Sequence, residues 1–254
     1  MTNRDNSLQF RRAIQIRTRG CEHSGCARVS LEDDYHHFRV EVHYHRGVVT
    51  QAQGTALRTP YTLCASAGDQ LQLLRGMPLS LSSTAVSQHT DQTQQCSHMF
   101  DEAGLAIAAA AGGIRRRDYA VTIPRHQAGR TQATLFRDGA MALAWQIDNG
   151  VIVAPAAFAA QPIGRGFSQW LTQWTDAETV EAALVLRRCA MISLGRLRDL
   201  DIEKHARNSG HCFAQQPQRA AQALRIVGST QDFSDRPAAL CADDQHWLDE
   251  LANA

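Results

Sequence analysis

Missing from the sequence is any apolar run long enough to cross a bilayer. The longest small apolar run, Ala106 to Ala111, falls far short of the roughly eighteen residues of a spanning helix. The opening residues, MTNRDNSLQFRR, are polar and lack the apolar stretch of a secretory signal. Charge of one sign is scarce too. With 26 Lys plus Arg against 25 Asp plus Glu, the formal net charge is +1, which leaves no electrostatic surplus for a phosphate backbone or an anionic membrane surface. There is no Walker loop, no dinucleotide Gly-x-Gly-x-x-Gly, no Gly-x-Ser-x-Gly elbow and no His-Glu-x-x-His helix. Nucleotide and common hydrolase chemistry lose support, and no cofactor is expected. The seven cysteines (Cys21, Cys26, Cys64, Cys96, Cys189, Cys212 and Cys241) are an odd number in a chain large enough to fold without staples. A reducing cytoplasm is the compartment this predicts.

At 254 residues and 44% hydrophobic content the chain can bury a sizeable core, as one domain or two. Period-two alternation from Arg12 to Gln53, seen in Ala13–Arg17 and Phe38–Val42 and then in Val48-Val49 after the turn at Arg46-Gly47, predicts antiparallel strands. Helical composition follows in Asp69–Leu74 and in Met99–Ala111, the latter with Ser97 as a cap and Gly112-Gly113 as a stop. Alternation then resumes over Tyr119–Ile123, Thr131–Arg137, Ala140–Ile147 and Val151–Ala154, with hairpin turns at Asp138-Gly139 and Asn149-Gly150. Helices are predicted over Gly166–Trp174, over Asp176–Leu197 with Asp176 as N-cap, and around Pro217–Leu224, before an exposed acidic end. The expected fold is α+β in two similar lobes, residues 1–114 and 115–254, each an antiparallel sheet followed by helices.

Leu31-Glu32-Asp33-Asp34-Tyr35-His36-His37-Phe38 concentrates three carboxylates and two imidazoles ahead of a strand. Histidine suits proton transfer near neutral pH, and an adjacent Asp33 or Asp34 can orient it. Neighbours in a strand face opposite ways, so only one of His36 and His37 can point into a given cleft; solvated side chains at a strand entry are the alternative. Cys96-Ser97-His98 places a thiol and an imidazole at a helix N-terminus, where partial positive charge favours thiolate. Cys64, just after Pro60-Tyr61, can join Cys96 and His98 as metal ligands, completed by His36, His37 or Asp34, although the spacing matches no known zinc pattern. Without metal, Cys64 and Cys96 are small buried hydrophobes. Arg187 and Arg188 on the long helix can grip a carboxylate or phenolate, or serve in ion pairs. His43 and His45 share a strand face and are weak metal candidates.

Pro60-Tyr61-Thr62-Leu63-Cys64-Ala65, Leu74-Arg75-Gly76-Met77-Pro78-Leu79 and Cys96-Ser97-His98-Met99 resemble a bacterial family of unknown function marked by a Cys-Pro turn and a Cys-Thr-His-Leu motif, over about Phe10 to Ala111. The sequence departs from that pattern at Ala65, Ser97 and Met99. Leu184–Asp201 and Arg225–Phe233 are similar to two-lobed relatives from bacteria that degrade aromatic compounds, among them a phenylcoumaran γ-formaldehyde lyase. The resemblance implies a lyase acting on an aromatic, lignin-derived dimer. In it His36 or His37, steered by Asp33 or Asp34, acts as base and His98 as acid; Arg187 or Arg188 steadies a phenolate, and Tyr61, Cys64 and Cys96 complete the site. Two other classes stay open: a metal-dependent hydrolase or isomerase, and a non-catalytic binding module. A small aromatic molecule is the expected partner. Edge strands and Trp145, Trp170 and Trp174 allow a homo-oligomer.

Overall fold

The computed structural model describes residues 8–21 and 23–253; most of the polar opening stretch, Met1 to Ser7, lies outside them. Eight strands, β1 (Gln9–Gly20), β2 (Ser24–Asp33), β3 (His37–His45), β4 (Val48–Arg58), β5 (Arg116–Pro124), β6 (Arg130–Arg137), β7 (Ala140–Asp148) and β8 (Val151–Ala154), form one antiparallel sheet in the order β4-β3-β2-β1-β5-β6-β7-β8. The helices are α1 (Val86–His89), α2 (Ser97–Ala111), α3 (Phe167–Trp170), α4 (Ala177–Ser193) and α5 (Gln245–Asn253). The fold is therefore α+β, but with a single sheet where two were expected. Among the described residues no helix is long and apolar enough to cross a membrane.

Two compact units share the chain. One comprises Met1–Ala13, Asp118–Leu200 and Asp232–Leu240; the other comprises Ile14–Arg117, Asp201–Gln231 and Cys241–Ala254. The units change over at Arg117/Asp118, but neither is one continuous stretch: Met1–Ala13 groups with the later part of the chain, and residues 201–231 and 241–254 with the earlier part.

The larger unit is organised by the β2–β3 hairpin. Register places Leu31 opposite Phe38, Val29 opposite Val40 and Ala27 opposite Val42, and all six side chains are fully buried. Burying an aliphatic or aromatic side chain of this size is worth about 1.5–3 kcal/mol, so this apolar stripe holds α2 against β2 and β3. The opposite face carries Arg39, Glu41 and His43 from β3 and Cys26, Arg28 and Ser30 from β2. There α5 packs against β2 through a chain end that buries Leu248 and Leu251. Strand β2 falls inside the predicted period-two stretch without having been singled out, and the acidic end, expected to be exposed, buries Asp244 completely.

Local chemistry sets the boundaries of the helices. The N-cap of α2 is Cys96 with no side-chain cap bond, so Ser97 is the first helical residue rather than the cap. Gly113, at φ +66°, stops the chain beyond it. In α4 the expected cap holds: Asp176 accepts a hydrogen bond from the Thr179 backbone N–H at 3.2 Å. Ala182, Val185, Leu186 and Cys189 form a buried stripe while Ile192, next along it, is half-buried, and the α-helix ends at Ser193, with a 3-10 turn over Leu194–Leu197 in place of the predicted continuation. The stretch predicted as helical from Gly166 to Trp174 is only α3 plus a 3-10 turn, and Pro217–Leu224 forms successive turns without a helix. The four-strand meander β5–β8 matches expectation, with positive φ at Asp138-Gly139 and Asn149-Gly150.

Gly68, in the 3-10 helix Thr62–Leu74, sits so close to β4 that a Cβ there would lie 2.1 Å from the Gly54 carbonyl oxygen. Gly68→Ala is expected to lower stability by about 1–3 kcal/mol through overpacking, measured by urea denaturation; a midpoint equal to wild type would contradict this close approach.

Candidate functional site

The turn between β2 and β3 is built on one carboxylate. Asp33 Oδ1 accepts the backbone N–H groups of Tyr35 at 2.7 Å and His36 at 2.8 Å, and the Asp33 N–H donates to the His36 carbonyl at 2.8 Å. The same carboxylate lies 3.1 Å from His36 Nδ1. An ionised carboxylate only accepts, so Nδ1 carries the proton and Nε2 is left as the basic nitrogen. From β4, Arg58 reaches across the turn: its guanidinium donates to the carbonyls of Asp33 at 2.6 Å and Asp34 at 3.1 Å and pairs with Glu32 at 3.1 Å. Asp34, fully buried, enters this scaffold through its carbonyl, which also accepts from the Gln231 N–H at 2.7 Å.

His98, the second residue of α2, meets His36 with ring centroids 4.0 Å apart and planes inclined by 32°. Beneath both rings lies Phe38, at 5.5 Å from His36 and 6.0 Å from His98. Asp33, His36 and His98 are all buried, and one donor atom from each falls within 4.8 Å of the others. Chemically, the set places one imidazole fixed by a carboxylate against a second imidazole, two groups suited to proton transfer, or it can offer two nitrogens and one oxygen to a cation.

His37 takes part in a second network. Its Nε2 lies 2.7 Å from Asp244 Oδ2, and its Nδ1 lies 3.6 Å from Glu32. Arg39 donates to Asp244 Oδ1 at 2.6 Å, and the Ser30 hydroxyl donates to Oδ2. Burial opposes charge on Asp244, but the bonds from His37 and Ser30, the positive charge of His37 and the Arg39 bond prevail and hold its carboxyl below the usual range. The adjacent histidines are thus divided between two sets of partners: His36 belongs to the turn, and His37 is the first residue of β3.

The remaining predicted residues lie in other surroundings. Cys96 is the extended N-cap of the helix that bears His98, and its thiol is buried beside those of Cys64 and Cys212. Burial, more than the neighbouring thiols, pushes the Cys64 thiol up to about 12 and raises Cys96 as well. Both stay protonated at neutral pH, against the thiolate expected at a helix N-terminus. Tyr61 and Cys64 belong to an apolar cluster with Ala206, Ala214 and Ala223, and burial raises the Tyr61 phenol. Arg187 and Arg188 belong to α4 in the other unit, where the Arg187 guanidinium donates to the carbonyls of Ile163 at 2.8 Å and Gly164 at 2.9 Å. Cys64 and Cys96 do not join His98 in any converging ligand set among the described residues.

Sequence reasoning missed Arg58, Arg39 and Asp244. Arg58 and Arg39 are single basic residues in alternating strands and carry no local signal. Asp244 had one: Ala242-Asp243-Asp244 precedes the apolar positions Leu248 and Leu251, the pattern of a capped amphipathic helix.

A carboxyl held low in the folded state stabilises the fold fully above its unfolded pKa, about 3.9 for aspartate. That contribution is lost as pH falls through the folded value. Asp244→Asn is therefore expected to flatten the acid limb of the stability profile below about pH 4, read by urea denaturation at descending pH. An acid limb identical to wild type would remove Asp244 from this role.

Among known proteins, no protein-family model, curated protein or solved structure matches the chain.

Proposed function

We propose that the protein is an enzyme, a cofactor-independent lyase that fragments a small aromatic molecule and releases formaldehyde. The observation that carries this reading is the buried Asp33–His36–His98 arrangement, in which a carboxylate fixes one imidazole and a second imidazole lies 4.0 Å away, ring centre to ring centre. In the proposed reaction His36 Nε2 takes the hydroxyl proton of a primary alcohol. The carbon–carbon bond to the hydroxymethyl group breaks as formaldehyde departs, and its electron pair becomes the stilbene double bond. The furan carbon–oxygen bond breaks in the same step, its pair leaving on oxygen, and His98 supplies a proton to that phenolate. Phe38 and Tyr35 surround His36 with aromatic rings at 5.5 and 6.2 Å between ring centres, an apolar setting that supports an aromatic substrate. A homo-oligomer is part of the same reading, with sedimentation at working concentration as its check.

General acid–base groups contribute about 10²–10⁴-fold to a rate. With phenylcoumaran dimers bearing a hydroxymethyl group, wild type is expected to release formaldehyde and stilbene in equal amounts, and His36→Ala and His98→Ala to lose activity on that scale while staying folded. No turnover by folded wild type, or variants as fast as wild type, would overturn the lyase.

The convergence of Asp33, His36 and His98 within 4.8 Å favours a second reading, a metal-dependent hydrolase or isomerase with those three as ligands in place of Cys64, Cys96 and His98. Activity abolished by chelation and restored by a divalent cation would select it; full activity after chelation would dismiss it.

A further inference from the structure

On the polar face of the β2–β3 hairpin a second group of donor atoms converges. Cys26 and His43 are direct partners in the antiparallel register, and Glu41, two residues before His43, shares its face. Cys26 Sγ lies 3.9 Å from His43 Nε2, and His43 Nε2 lies 2.8 Å from Glu41 Oε1; the three donors fall within 4.8 Å of one another. The face is opposite the one where Phe38 meets His98, so this group is separate from the Asp33–His36–His98 site.

We infer that Cys26, Glu41 and His43 form a binding site for a thiophilic divalent cation of the zinc class. Bond lengths of about 2.0–2.3 Å to sulfur, nitrogen and oxygen at a tetrahedral ion put donors roughly 3.5 Å apart. The observed separations of 3.9 and 2.8 Å straddle that value, so small rotations of side chains on a rigid ladder complete the geometry. The donor set of one thiolate, one imidazole and one carboxylate oxygen suits zinc and not magnesium or calcium, which prefer oxygen alone.

Arg28 supports the site rather than blocking it. It bonds Glu41 Oε2, the oxygen that His43 does not use, and so leaves Oε1 for the ion while orienting the carboxylate. On binding, the Cys26 thiol passes its proton to solvent, and the imidazole coordinates in its neutral form. The His43 side chain is 43% exposed and that of Glu41 29%, which gives the ion an entry path and room for water as a fourth ligand.

The full-length protein, stripped of metal, is titrated with Co(II) as a spectroscopic stand-in and with Zn(II) in competition with a metal indicator. Wild type is expected to bind Co(II) with a thiolate-to-metal charge-transfer band and tetrahedral d–d intensity. Cys26→Ser removes the charge-transfer band and weakens Zn(II) by about tenfold or more; His98→Ala keeps the band, because the Asp33–His36–His98 set contains no sulfur. Folded wild type without a charge-transfer band overturns the site, as does a band that survives in Cys26→Ser. Should Cys26→Ser fail to fold, His43→Ala carries the same test at a part-exposed position. Loss of tetrahedral intensity and weakened Zn(II) binding support the assignment, and an unchanged titration overturns it.

Discussion

Buried backbone carbonyls need donors, and at the β2–β3 turn one side chain supplies most of them. The Arg58 guanidinium gathers the carbonyls of Asp33 and Asp34 and the Glu32 carboxylate. Around it four consecutive residues, Asp33 to His36, lie almost wholly out of solvent. A polar turn placed there without such a partner carries a penalty of about 1–3 kcal/mol for each orphaned group. With Arg58 in place the Asp33 carboxylate is fixed, His36 is fixed by Asp33, and the imidazole of His98 has a partner at a defined distance.

The hairpin then acts as a partition. Pleating sends Phe38, Val40 and Val42 toward the apolar helix α2 and sends His37, Arg39, Glu41 and His43 to the other side. One face is an apolar layer packed against α2, with two imidazoles at one end. The other is a polar ladder closed at one end by Asp244, which draws together Ser30, His37 and Arg39 just before the first turn of α5. Arg28 and Arg39 also lie over the Trp247 ring, at 5.0 and 5.1 Å, and extend that closure along the helix. Two chemically distinct groups of side chains therefore arise from one pair of strands and need no separate scaffold.

Strands β3 and β5–β8 were legible because each alternates apolar and polar residues, with one buried row. Strand β2 alternates too, with Ala27, Val29 and Leu31 against Arg28, Ser30 and Glu32, and so lies inside the period-two stretch, but alternation alone did not show that its polar row would be covered as well, with Ser30 and Asp33 fully buried. Pro217–Leu224 has the Gln, Arg and Ala content of a helix, yet its backbone is committed to turns and to tertiary bonds such as Ala206 N–H to the Ala223 carbonyl. Local propensity was outweighed by long-range pairing.

By itself the sequence determined which residue types could do chemistry and where the strands alternate, because these depend on side-chain identity and short-range spacing. It marked His36, His37, His98 and Asp33 as candidates and divided the two adjacent histidines. Tertiary structure decided which candidates meet. His98 lies 62 positions beyond His36 and joins it only because α2 folds onto the hairpin, while Asp244 reaches His37 across 207 positions of chain. Cys64 and Cys96 share apolar surroundings with Cys212, and Arg187 is held by the carbonyls of its own unit. Contacts of that sequence separation are fixed by packing and by the need to partner buried polar groups, neither of which is written in any local stretch of residues.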